Sequence, residues 1–144
     1  MSHELRIVRR FSASAEELYE AFTSPELLVQ WMLPMPGCRT EARLDVRVGG
    51  TFRIEMFADG KAYPHHGQYL LLEPPRRIEF SWISEATQGQ ASLVSVEIRA
   101  LSDQESELTL VQCALPSEAT VHEHREGWTR GLDQLVGMLL RGNA

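Results

Sequence analysis

Cysteine is scarce in this 144-residue chain: Cys38 and Cys113 are the only two, far apart in sequence. They form neither a multi-bridge framework nor a metal-type pair, so two reduced thiols are expected. Metal and nucleophile motifs are missing as well. There is no HExxH, no CxxC, no carboxylate cluster at ligand spacing, no nucleophile elbow and no supported Ser/His/Asp arrangement. The glycines of "VGGT", Val48 to Thr51, read as a hairpin signal and not as a phosphate loop. No catalytic set, metal or cofactor is therefore expected. No apolar run is long enough to span a membrane, and "MSHELRIVRRF" lacks the apolar core of a signal peptide, so a cytoplasmic chain without membrane insertion is expected. Basic residues are outnumbered, 14 against 20, and the net charge of -6 argues against a nucleic-acid partner.

The length suits a single domain over 1–144, and the apolar residues are spread evenly with no repeat, low-complexity tract or long linker. "LRIVRRF" places Leu5, Ile7, Arg9 and Phe11 on one face of a first strand. "SAEELYEAFT" then opens with Ser14 and Glu17 in a capping-box pattern and aligns Leu18 with Phe22 on one helical face. "SPELLVQWM" restarts a short helix, with Ser24 as N-cap and Pro25 at the first helical position.

From Cys38 to Leu115 the chain alternates, broken by "VGGT", "ADGK", "EPPR", "SEATQGQAS" and "SDQE", and so predicts six strands. The inward faces carry Phe52, Ile54 and Met56; Ile78, Phe80 and Trp82; Val94, Val96 and Ile98; and Leu108 and Leu110. The outward faces carry Arg53, Glu55, Glu79, Ser81, Ser95, Glu97 and Arg99. A sheet with one wet and one covered face is antiparallel and packed against something. After "LPSEA", Thr120 and Glu123 suggest another capping box, and a helix runs to about Leu140, roughly 30 Å long. A curved seven-stranded antiparallel sheet around one long C-terminal helix, with two short helices after strand one, is the α+β fold expected. Such a helix cannot touch both ends of a bent sheet, so a cavity between them follows.

The last helix holds the candidate site residues. His122 and His124 stand about 200° apart on it and cannot grip one metal, and His65 and His66 have the same defect in a strand. Gly127 and Gly131 each cost about 1 kcal/mol in a helix interior. Either a neighbouring backbone packs closely there or the small residues leave room for a ligand. Trp128, Leu132, Leu135 and Leu139 form an adjacent stripe, with His124 one turn before Trp128. Gln112 shares the parity of Leu108 and Leu110, so its amide points inward, where lacking a partner would cost roughly 1 to 3 kcal/mol. A side chain, a buried water or a ligand must satisfy it. Tyr69 adds a hydroxyl whose facing the run "YLLL" obscures.

The segments "FSASAEELYEAFTSPELLVQWM", "LDVRVGGTFRIEM", "ADGK", "HGQYLLLEPPRRIEFSW" and "EGWTRGLDQL" together resemble the START-related SRPBCC superfamily. They are most similar to its branch around the C-terminal domain of the activator of the 90-kDa heat-shock protein ATPase. The resemblance runs from about Arg6 to Leu140 and implies a helix-grip fold with a hydrophobic pocket between the C-terminal helix and the sheet. It covers ligand carriers, polyketide cyclases and co-chaperone domains, and fold alone does not choose among them. In the activator another domain precedes this one and contributes to chaperone binding. Nothing of the kind precedes Met1, so a co-chaperone role is the weaker expectation. The leading expectation is a non-catalytic binder of a small hydrophobic or amphipathic molecule, contacted by Trp31, Phe52, Ile54, Met56, Tyr69, Phe80, Trp82, Gln112, His124 and Trp128. A cyclase- or dehydratase-type enzyme and a chaperone-linked interaction module are the alternatives, and self-association as a homodimer is left open.

Overall fold

The computed structural model describes residues 3–142. Its elements follow in the order β1 (His3–Phe11), α1 (Ala15–Thr23), α2 (Pro25–Trp31), β2 (Arg39–Leu44), β3 (Thr51–Ala58), β4 (Lys61–Glu73), β5 (Arg77–Ser84), a 3-10 turn (Glu85–Thr87), β6 (Ser92–Ser102), β7 (Glu105–Leu115) and α3 (Glu118–Gly142). The seven strands form one antiparallel sheet in the order β1-β7-β6-β5-β4-β3-β2. It is the expected helix-grip arrangement, with the sheet curved around α3.

The local signals act as anticipated at the first two helices. Ser14 Oγ accepts from the Glu17 N–H and the Glu17 carboxylate accepts from the Ser14 N–H, both at 3.1 Å. Ser24 caps α2, with Pro25 at its start. The third helix differs from expectation: it begins two residues before Thr120, and Ser117 Oγ, not a Thr120/Glu123 box, accepts from the Thr120 N–H at 3.2 Å. A serine three residues ahead satisfies the same orphan donor, so the cap moves upstream.

The inward residues of β3, β5, β6 and β7 are buried as the alternation requires, and Leu132, Leu135 and Leu139 of α3 close over them. Arg9 shares its face with Leu5 and Phe11 yet ends in an ion pair with Asp133 at 2.7 Å, tying β1 to α3. A β-bulge between Tyr69 and Leu71 resolves the "YLLL" ambiguity: Tyr69 turns inward, and Leu70 is exposed.

Two glycines separate close approach from mere tolerance. A Cβ on Gly67 would overlap the Ser81 carbonyl oxygen and the Phe52 ring, whereas one on Gly131 would meet the Trp31 carbonyl oxygen at 3.4 Å, an ordinary contact. At Gly127 the neighbour is Pro34 Cβ, at 3.3 Å. On α3, Gly131 thus meets the end of α2 at ordinary contact distance, and only Gly127 is approached tightly, by Pro34 of the loop after α2. Gly67→Ala should destabilise the fold by about 3 kcal/mol in urea unfolding. Gly131→Ala should leave it unchanged or raise stability by up to about 1 kcal/mol, because the helical propensity gained meets no severe clash.

Candidate functional site

The apolar stripe of α3 seals the sheet along most of its length but leaves a gap near the helix start. There a cavity of about 330 Å³ opens between the first turns of α3, the loop after α2, β3, β4, β5 and the 3-10 turn. Its wall is mostly apolar: Met32, Pro34, Met35, Met56, Tyr63 and Trp82 face Gly127 and Trp128 across it. The loop is held by Thr40, whose hydroxyl donates to the Met32 carbonyl at 2.7 Å.

Of the ten residues expected at the site, Met56, Trp82, His124 and Trp128 line this cavity. The other six do not, for two reasons. Phe52, Ile54, Tyr69 and Phe80 meet Phe22, Leu28 and Ile78 around a void of only about 20 Å³, because the short helices fill the sheet's hollow there. Trp31 is fully buried: its ring lies 4.7 Å from Phe22, and its Nε1 donates to the Ala21 carbonyl at 2.9 Å.

Gln112, also fully buried, is satisfied by protein groups. Its Oε1 accepts from Trp128 Nε1 at 2.8 Å, and its Nε2 donates to Ser92 Oγ at 2.9 Å. Ser92 in turn donates to the Trp82 carbonyl at 2.7 Å. The amide therefore stands behind the cavity wall and positions Trp128. It does not pair with His124.

Several lining residues were not anticipated. Tyr63 and His65 share the parity of Gly67 and Tyr69 along β4, so the alternation carried a signal for both. Met32, Pro34 and Met35 lie in a loop, where no period exists to read. Ala86, Glu123 and Glu126 complete the lining.

The polar groups are unevenly satisfied. His124 Nδ1 lies 2.8 Å from the Thr120 carbonyl oxygen. A carbonyl only accepts, so Nδ1 carries the proton, and in the neutral ring Nε2 is a bare acceptor. His65 packs on Trp82 with ring centroids 4.8 Å apart, and its buried Nδ1 has no hydrogen-bond partner. Trp82 Nε1 is likewise buried and unpartnered.

Desolvation holds the His65 imidazole down at about 4; the carbonyls of Ile54 and Tyr63 oppose this only in part, and the neighbouring His124 and His66 reinforce it. His124 is also lowered, chiefly by burial, with the Thr120 carbonyl and Glu123 counteracting. Burial raises the Tyr69 phenol, helped by Tyr19 and Asp45. On the outer side of α3, His122 pairs with Glu126 at 3.0 Å. Among the described residues no group of three or more His, Cys, Asp or Glu is arranged to hold a metal ion, and no helix is long and apolar enough to cross a membrane.

Residues 12–139 match the family described as activator of Hsp90 ATPase homolog 1-like protein. This chain belongs to that family. Protein CV1439 from Chromobacterium violaceum is 28% identical, with a TM-score of 0.86 over 94% of this chain and 96% of that one. CalU16 from Micromonospora echinospora is 29% identical, with a TM-score of 0.73 over 96% and 76%. PFC0360w, an HSP90 activator from Plasmodium falciparum, shares the fold at 22% identity, with a TM-score of 0.76 over 94% and 95%. No curated protein matches the sequence.

The two lowered histidines set a sign for the family fold's pH response in this chain. Both bind a proton more readily when unfolded, so stability is fullest above the ordinary imidazole value near 6.5 and falls as pH drops below it, for His65 down to about 4. The slope should approach roughly 1.4 kcal/mol per pH unit from His65, with His124 adding in the same direction. Urea unfolding across that window should show the decline, and His65→Phe should flatten it while leaving stability near neutral pH little changed.

Proposed function

We propose that this chain holds a small hydrophobic or amphipathic molecule in the 330 Å³ cavity, against Met56, Trp82, His124 and Trp128. The observation that carries this reading is a gap walled by methionine and aromatic side chains in a fold whose remaining core is closely packed. Apolar walls facing a gap forgo dispersion contacts, and a flat apolar guest restores them. The volume stands at the small end for ligand pockets and suits a molecule of two or three rings. A larger groove, of about 680 Å³, runs past Arg76, Arg77, Arg99, Glu97 and Glu107 on the exterior, and most of its lining residues are charged.

Ala86 supplies the test, because it is exposed on the 3-10 turn yet lines the cavity. Titration with 1-aminoanthracene, a neutral fluorescent aromatic, should show saturable binding. Ala86→Trp should weaken that binding at least about tenfold without changing the unfolding midpoint. An unsaturable signal, or equal affinity in the variant, removes the reading.

The family description and the named function of the Plasmodium protein favour a second reading, contact with a chaperone ATPase. Val46 and Val48 are exposed on the connection between β2 and β3 and offer apolar surface for it. Adding the purified chain to an Hsp90 should then raise its ATP turnover, and Val48→Asp should abolish the increase. An unchanged turnover rate removes this second role and leaves the cavity untouched.

A further inference from the structure

Resting on the cavity reading above, we propose that the molecule held there is a monocation: a flat apolar body carrying a protonated amine at the cavity mouth, beside Glu123 and Glu126. The groups left to meet a guest make the first part of the case. Trp128 Nε1 is spent on Gln112, and His124 Nδ1 on the Thr120 carbonyl. Trp82 Nε1 and His65 Nδ1 have essentially no accessible surface, so neither can meet a guest. The lining holds no lysine, arginine, asparagine, glutamine, serine or threonine. Donors are therefore few, whereas two carboxylates stand ready to accept. A protonated amine brings three donors and no acceptor, and so matches such a wall.

Charge makes the second part. Among the described residues Glu123 forms no ion pair, and Glu126 meets only His122, at 3.0 Å, a pairing that is ionic only when that imidazole is protonated. Lys61, whose Nζ stands 5.0 Å from the centre of the Tyr63 ring, is offset by Glu85 at 3.9 Å. Burial holds His65 and His124 toward their neutral forms, so neither adds a positive charge near neutral pH. The partial positive charge at the start of α3 falls off within its first turn, ahead of Glu123. The mouth is thus net negative, which attracts a cation and repels a carboxylate.

Placement completes it. Glu123 and Glu126 are exposed yet line the cavity, so a cation beside them keeps part of its water and escapes the penalty of full burial. Behind them Met32, Met35, Met56, Trp82 and Trp128 take the apolar body. Indole faces also attract positive charge, which adds to the preference where the head approaches them.

Calorimetric titration of the intact chain near neutral pH with 2-naphthylmethylamine, 2-naphthylmethanol and 2-naphthoate, which share a ring system and differ in the charge of the head, tests this directly. The amine should bind about tenfold more tightly than the alcohol, with the naphthoate weakest. Glu123→Gln and Glu126→Gln, both at exposed positions, should each lower the ratio of amine to alcohol affinity, and the double variant should bring it close to one. Raising the salt from about 0.05 to about 0.5 M should shrink the same ratio. The ratio cancels changes of cavity shape common to both probes. Equal affinity for amine and alcohol overturns the inference of a cation and leaves the cavity reading standing. So does tighter binding of the naphthoate, or a ratio unmoved in the double variant. No binding by any of the three overturns both.

Discussion

One buried amide organises the functional end of this molecule. Gln112 sits on a strand facing a helix, with no water-exposed surface, and spends its carbonyl oxygen on Trp128 and its nitrogen on Ser92. Ser92 passes the connection to the backbone of Trp82. The two cavity indoles, whose centroids lie 5.5 Å apart, are thereby referred to one another through hydrogen bonds as well as ring contact. Replacing the amide by a hydrocarbon of similar size would leave the Trp128 indole N–H without an acceptor in a dry interior, at roughly 1 to 3 kcal/mol, while Ser92 keeps its bond to the Trp82 carbonyl. The amide's demand for partners fixes the azimuth of α3 over the sheet more sharply than the leucine stripe could, because apolar contacts tolerate rotation and sliding that hydrogen bonds do not.

That fixed azimuth explains why the gap lies where it does. Leu132, Leu135 and Leu139 bring the later turns of α3 onto the core, and the Arg9 and Asp133 ion pair adds a tie to β1. The first turns have no such apolar anchors toward β3 and β4, where the sheet curves away. The space left is bordered by the loop after α2, and Thr40 holds that loop through the Met32 carbonyl. The same gap explains the electrostatics: His65 and His124 are held toward their neutral forms by burial, which Glu123 offsets at His124 only in part.

Much of the architecture was legible because its causes are local. Ser14 with Glu17, Ser24 with Pro25, and the alternation through Phe52 to Met56 and Ile78 to Trp82 each express a constraint within a few residues. The site was legible only in part. His124 and Trp128 fall on one helical stripe and both reach the cavity, and Met56 and Trp82 follow from strand parity. Parity also pointed inward for Phe52, Ile54 and Phe80, correctly, but parity does not distinguish a packed hollow from an open one. Only the placement of α1 and α2 decides that, through contacts such as the Trp31 indole to the Ala21 carbonyl. Gln112 was recognisable as an inward amide, while the identity of its partner depended on a helix 16 residues further along the chain. Gly127 signalled close approach, yet the approaching group, Pro34 in the loop after α2, comes from far earlier in the sequence.

The pairing of β1 with β7 has a consequence for how the chain acquires this shape. Strands β2 to β7 each lie beside their neighbours in sequence, so hairpins can form them one after another with short loops to close. β1 cannot join until β7 exists, since Phe11 lies opposite Ser106 and Ile7 opposite Leu110. Its attachment closes a loop that contains nearly the whole sheet, and α3 emerges immediately afterwards to lie across both strands. During synthesis the first strand therefore waits, with Leu5 and Phe11 unburied, until the last one has left the ribosome.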